Sequence, residues 1–327
     1  LGATSPNQIG EPYTETSVIH EAINYISSQG GGKIYLKKGV YNIYWNSVYK
    51  IDSLSGNSYA LGIGDIPGGI ILEGETTGYW GGIFKSNYYI SQSSINSSTV
   101  INFIIDNTTM PTTYNNGLFV QQTNSINGQI TNVDLGIFNI LFTINQTSPS
   151  AQFTTINGYF ASSIYGNFEV IGPPSTSYNN TLGVQLPQPS NQGGQVFDRL
   201  YIAGFNTGIM LSSHASINQL YIDTCINAIS MNPYYHTSEI LYANIQNVAY
   251  ILNPIDAGQI NIENCDTEIS TSYPIPFVSL STNNHTVNGR INFYQNSNVA
   301  FPSLGTIPPG LHVDWLGEKS PSTPSIP

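Results

Sequence analysis

Along most of the chain, short apolar triplets alternate with polar residues and are set apart by Asn, Gly and Ser. This is the period-two pattern of half-buried strands separated by turns. One segment breaks it: over residues 15–29, Ile19, Ala22, Ile23 and Ile26 recur at i, i+3, i+4 and i+7, which predicts an amphipathic helix stopped by Gly30. No second helix-length period follows. No apolar run approaches the roughly 18 residues of a membrane span.

The strand pattern repeats. LYIAGFNTGIML (residues 200–211) aligns with LYIDTCINAISM (220–231), LYANIQNVAYIL (241–252) and INIENCDTEIST (260–271). Leu200, Leu220, Leu241 and Ile260 then lead successive units, and Ile202, Ile222, Ala243 and Ile262 follow two residues later. A unit of about 20 residues built from short strands predicts a solenoid of parallel β-coils, each burying its apolar side chains against the next. A sandwich would instead need hairpins, and the two-residue Asn-Gly or Asp-Gly turns that make them are absent from residues 200–271. Before Ile164 the repeat blurs, and longer insertions are expected at residues 108–124, 173–195 and 272–286. The expected organisation is an N-terminal arm and capping helix (1–30), an all-β parallel β-helix (31–316) and a Pro/Ser/Thr-rich linker (317–327).

The stretch VIHEAINYISSQGGGKIYLKKGVY, ending at Tyr41, together with IILEGE (70–75), resembles the opening of right-handed parallel β-helix proteins of the pectate lyase superfamily, phage tailspikes among them. Gly30, Gly31, Gly32, Gly39, Tyr41 and Gly74 fall on that family's positions, while Lys37 stands where a proline is common. The resemblance implies a right-handed, single-stranded β-helix. It implies little about activity, because the same opening precedes hydrolases, lyases and adhesins. Adjacent Asp residues and a Gly-His-Gly, which mark polygalacturonase-like members, are missing. By family analogy the expected oligomer is a trimer.

Composition narrows the function. Only 8% of the 327 residues are charged, and 8 Lys and Arg against 19 Asp and Glu give a formal net charge of −11. Nucleic acid is a poor partner for such a surface, and an anionic polyuronate would be repelled. Polarity comes instead from Asn, Ser, Thr and 22 Tyr. With few carboxylates to lose on protonation, the expectation is an extracellular, cell-surface or virion-surface protein that tolerates acid. Five Asn-x-Ser/Thr sequons, at Asn96, Asn107, Asn145, Asn179 and Asn284, suit a glycoprotein but match the chance frequency for this composition.

Candidate chemistry follows from the alignment. One column reads Ala203, Asp223, Asn244, Glu263, two coils separating the acids. Side-chain reach would bring them to the ~6.5–9.5 Å of an inverting glycosidase pair; solvated surface acids are the plainer alternative. Tyr201, Tyr221 and Tyr242 form an outward aromatic ladder able to stack on sugar rings or on a neighbouring subunit, with Asn244, Tyr234 and Tyr235 as further sugar contacts. Cys225 and Cys265 fall in one column two coils apart, beyond disulfide reach, and are expected as buried free thiols. His20-Glu21 begins like a zinc-protease motif, but Asn24 stands where the second ligand belongs. No metal or cofactor is expected. The leading expectation is a tailspike-like or adhesin-like protein recognising neutral surface glycans as a homo-oligomer; the alternatives are an inverting glycoside hydrolase and a structural subunit of a filament, sheath or layer.

Overall fold

The computed structural model describes residues 14–44, 58–63, 69–76, 98–105, 115–121, 125–126, 129–130, 134–146, 153–159, 163–172, 181–186, 195–211, 215–231, 237–254, 258–268, 287–294 and 310–316. Within them the chain winds repeatedly through three parallel sheets, an all-β arrangement consistent with a parallel β-helix. A short sheet stacks Gly32–Leu36, Ile70–Gly74, Asp134–Phe138 and Ser163–Tyr165. A long sheet of ten strands runs from Gly39–Tyr44 through Thr99–Ile105, Ile140–Gln146, Asn167–Ile171, Gln195–Ala203, Ala215–Asp223, Thr237–Gln246, Gly258–Glu268 and Val287–Tyr294 to Gly310–Leu316. A third sheet of seven strands runs from Ser58–Ile63 to Tyr250–Pro254. The one antiparallel pairing among the described residues joins Ser125–Ile126 to Gln129–Ile130.

The core lies between the sheets because every second residue points inward. Tyr41, Ile101, Phe142, Val170, Ile202, Ile222, Ile245 and Thr267 form one unbroken inward column of the long sheet, all buried. Phe103, Phe142, Phe168 and Phe197 make successive ring contacts at 6.1, 6.0 and 6.2 Å. The helix Thr14–Ser28 matches the periodicity and touches all three strands of the first coil, burying Ile19 and Ile23 in the main core. No helix among the described residues is long and apolar enough to cross a membrane.

The short sheet does not continue as separate strands beyond Ser163–Tyr165. In the third and fourth coils the chain bends between short and long sheets at Asn139 (φ 55°) and Gly166 (φ 119°). From Gln195 onward one strand crosses the same bend, with two consecutive residues facing outward: Asp198-Arg199, Asn218-Gln219, Leu241-Tyr242 and Glu263-Asn264. The long outer strands therefore cover both faces.

Two expected insertions contain strands of the solenoid itself. Asn115–Gln121 and Thr181–Gln185 belong to the third sheet. Residues 272–286 and 317–327 lie outside the described residues.

Candidate polar and aromatic face of the long sheet

The outward columns of the long sheet change character along its length. One reads Val40, Val100, Leu141, Glu169, Tyr201, Tyr221, Asn244, Asp266 and Tyr294 in continuous register. Its first members are apolar, and Val100, Leu141 and Ile171 form a buried cluster of their own, with Val40 packed on it. From Glu169 onward the column is polar and aromatic. Burial persists through Glu169 and Tyr201, 1% and 5% exposed, and relaxes at Tyr221. The next column reads Asn42, Asn102, Thr143, Ile171, Ala203, Asp223, Gln246, Glu268. Its first three residues are tied rung to rung, Asn102 Nδ2 donating to Asn42 Oδ1 at 2.9 Å and Thr143 Oγ1 to Asn102 Oδ1 at 3.0 Å.

Asp223 sits where the two columns meet the turn into the third sheet. Its carboxylate accepts from Asn247 Nδ2 at 2.9 Å and from the Tyr201 hydroxyl at 3.5 Å. Burial raises its pKa above 3.8, and the bonds from Asn247, Tyr201 and the Thr224 backbone pull the other way. The turn itself needs left-handed backbone at Gly204, Thr224 and Asn247, with φ of 80°, 54° and 49°. Asparagine tolerates that region better than most residues, and its side chain then reaches back to Asp223.

Beside this acid lies an aromatic strip. The Tyr221 and Tyr242 rings are 5.8 Å apart at 57°, and the Arg199 guanidinium carbon lies 5.8 Å from the Tyr221 ring centre. Burial raises the Tyr242 pKa. Gln246 Nε2 donates to Asn244 Oδ1 at 2.7 Å, and Asn244 Nδ2 reaches Asp266 Oδ2 at 3.5 Å. Aromatic faces, amides and carboxylates thus share one surface.

The structure separates the expected acid pair. Asp223 is in register with Gln246 and then Glu268, not with Asn244 and Glu263. Glu263 stands at the bend, between the Ile240–Ile262 and Ala243–Cys265 pairings. Five residues from Glu268 along a strand is about 16 Å, and two strand spacings add to that. Asp223 and Glu263 therefore lie far beyond the ~6.5–9.5 Å of an inverting pair. The tyrosine ladder is also altered: Tyr201 and Tyr221 are paired, but Tyr201 is buried, and Tyr242 pairs with Gln219, reaching Tyr221 diagonally. Asn244 falls in the Tyr201–Tyr221 column. Tyr234 and Tyr235 lie outside the described residues.

Cys225 and Cys265 are buried free thiols, but not in one column: Cys265 pairs with Ala243, whereas Cys225 occupies the turn beside Phe205. Sequence reasoning missed Asn247, Arg199 and Glu169. The Asn at a turn repeating Gly204 and Thr224 was a usable signal for the first; nothing local marks the other two. No protein-family model, curated protein or solved structure matches the chain.

Proposed function

We propose that the protein is a right-handed parallel β-helix of the tailspike or adhesin kind, closed at its first coil by the helix Thr14–Ser28, that attaches to neutral glycans outside the cell or on a virion surface. The observation that carries this reading is the pairing of Tyr221 with Tyr242 beside Asp223, Asn244 and Asp266 on one outer face. Sugar rings present apolar faces to aromatic side chains and hydroxyls to amides and carboxylates, so this set matches a neutral saccharide. The formal charge of −11 favours an uncharged ligand over an anionic one. The pair Asp223 and Glu263 gives hydrolysis no support, because the register separates them.

The test is a glycan-array screen followed by titration calorimetry on any ligand found. Tyr221→Ala and Tyr242→Ala should each weaken binding by roughly tenfold or more, given the value of an aromatic contact, while the far-UV spectrum is retained. Unchanged affinity in both variants would remove this face from the function.

A further inference from the structure

The two ends of the solenoid are closed differently. At the first coil the helix Thr14–Ser28 lies against all three strands and buries Ile19 and Ile23 in the core. At the other end the last strand of the long sheet, Gly310–Leu316, pairs with Val287–Tyr294 and has no second neighbour among the described residues. The core thins there. Phe197, Ile217, Ile240, Ile262, Ile291 and Val313 form one inward column, and the first five are buried whereas Val313 is only partly so. An open edge carries unpaired backbone donors and acceptors, and the end of a solenoid has to be capped or paired.

The sequence of this last strand is complementary to itself. Leu311 and Val313 alternate with His312 and Asp314, which are exposed on the outer face. Reversing LHVDW about Val313 sets Leu311 opposite Trp315, His312 opposite Asp314, and Val313 opposite itself. Asp314 already accepts from Arg290, Nε to Oδ2 at 3.2 Å, and Arg290 is in register with His312. On the last two strands Asp314 is the one acid. Each carboxylate in a reversed pair would thus meet its own guanidinium and the imidazole N–H of the other copy.

We infer that Gly310–Leu316 is the seam of an isologous dimer, in which two copies of this chain join their last strands antiparallel about a two-fold axis through Val313. The axis stands perpendicular to the sheet, so the apolar side of both strands stays inward and each Val313 is covered by its counterpart. Register follows from the side chains. A shift of one residue sets inward positions against outward ones, and a shift of two sets His312 against His312 or Asp314 against Asp314. Head-to-tail stacking, which would run on into a filament, is blocked by the helix on the first coil.

The experiment is sedimentation velocity on wild type, His312→Asp and the exchange variant His312→Asp/Asp314→His, with far-UV circular dichroism to check that each folds. Wild type should sediment at twice the 35.6 kDa chain mass. His312→Asp sets carboxylate against carboxylate twice and should weaken dimerisation at least about tenfold; the exchange variant restores both pairs and should recover it. Register is read by oxidation with copper phenanthroline. Directly opposite residues of an antiparallel pair lie about 4.5–5.5 Å apart, within disulfide reach, so Val313→Cys should give a covalent dimer and Leu311→Cys should not, the native thiols being buried. A monomeric or trimeric wild type, wild-type association in His312→Asp, a folded exchange variant that stays monomeric, or equal cross-linking at positions 311 and 313 would overturn the inference. None of these readouts depends on glycan binding.

Discussion

The Tyr201 hydroxyl donates to the Asp223 carboxylate across neighbouring strands at 3.5 Å, although Tyr201 stands directly opposite Tyr221 and Asp223 directly opposite Ala203. A largely buried acid with two neutral donors keeps a carboxylate less well solvated than water would, so burial prevails and its pKa rises.

A raised folded-state value has a definite sign for stability. The neutral acid suits the fold, so Asp223's favourable share is fully present below about its ordinary 3.8 and is lost as pH climbs through the raised folded value. Asp223→Asn removes the titration and keeps the shape. The melting temperature of the variant relative to wild type should therefore be higher at pH 7 than at pH 3, as scanning fluorimetry across that window would read. A difference constant with pH would mean that Asp223 is as well solvated folded as unfolded.

The same residue shows how far the sequence could be read. Solenoid class, the helix and the inward placing of Ile202 and Ile222 follow from periodicity, because burial demands apolar residues at every second position, but the next member of their column is Ile245 and not the Ala243 of the sequence alignment. Register does not follow. Leu241-Tyr242-Ala243 copies the look of Leu220-Tyr221-Ile222, yet Leu220 pairs with Ala243 and Leu241 is an exposed bend residue. A slip of two leaves the alternation intact, so an apolar pattern cannot detect it. The bend, where two successive residues face outward, is what absorbs the slip. Asp223 and Glu263 were brought together by that slip of two and by a further slip of three at the next coil, where Asn244 pairs with Asp266 and not with Glu263, whereas Tyr221 and Tyr242 still meet because a diagonal neighbour is within reach of a long aromatic side chain.

The phenylalanine contacts inside the solenoid give the core its least replaceable members. Phe142 touches Phe103 at 6.1 Å and Phe168 at 6.0 Å and is fully buried. Phe142→Ala opens a cavity between coils that cannot close without moving whole strands. A loss of about 3–5 kcal/mol is expected, measured by urea denaturation. A loss under ~1 kcal/mol would show that the coils repack freely.

Two glycines with positive φ should respond very differently to alanine. Gly166, at φ 119°, would place a Cβ 2.0 Å from the Ile137 carbonyl oxygen of the preceding coil, so Gly166→Ala must displace a neighbouring strand and should prevent folding or lower stability by several kcal/mol. Gly30, at φ 85°, ends the helix with nothing within 4 Å of its added Cβ. There the left-handed backbone alone is penalised, and Gly30→Ala should lose about 1–2 kcal/mol. Equal effects in thermal melts would mean that inter-coil contact at Gly166 has no part in the difference.

The two thiols provide a label-free report on opening of the coils. Burial pushes Cys225 up to about 12, with the nearby Asp223 charge acting in the same direction, and it also raises Cys265. Both are buried, so neither thiolate nor access is available in the native state, and alkylation requires local or global unfolding. Cys225 lies in a turn between sheets, whereas Cys265 lies mid-strand, paired on both sides with Ala243 and Phe293. Iodoacetamide labelling followed by mass spectrometry should thus find both silent in native buffer and Cys225 modified at lower urea than Cys265. Simultaneous modification across the denaturation curve would indicate that the solenoid opens as one cooperative unit, and rapid native labelling of either would contradict its burial.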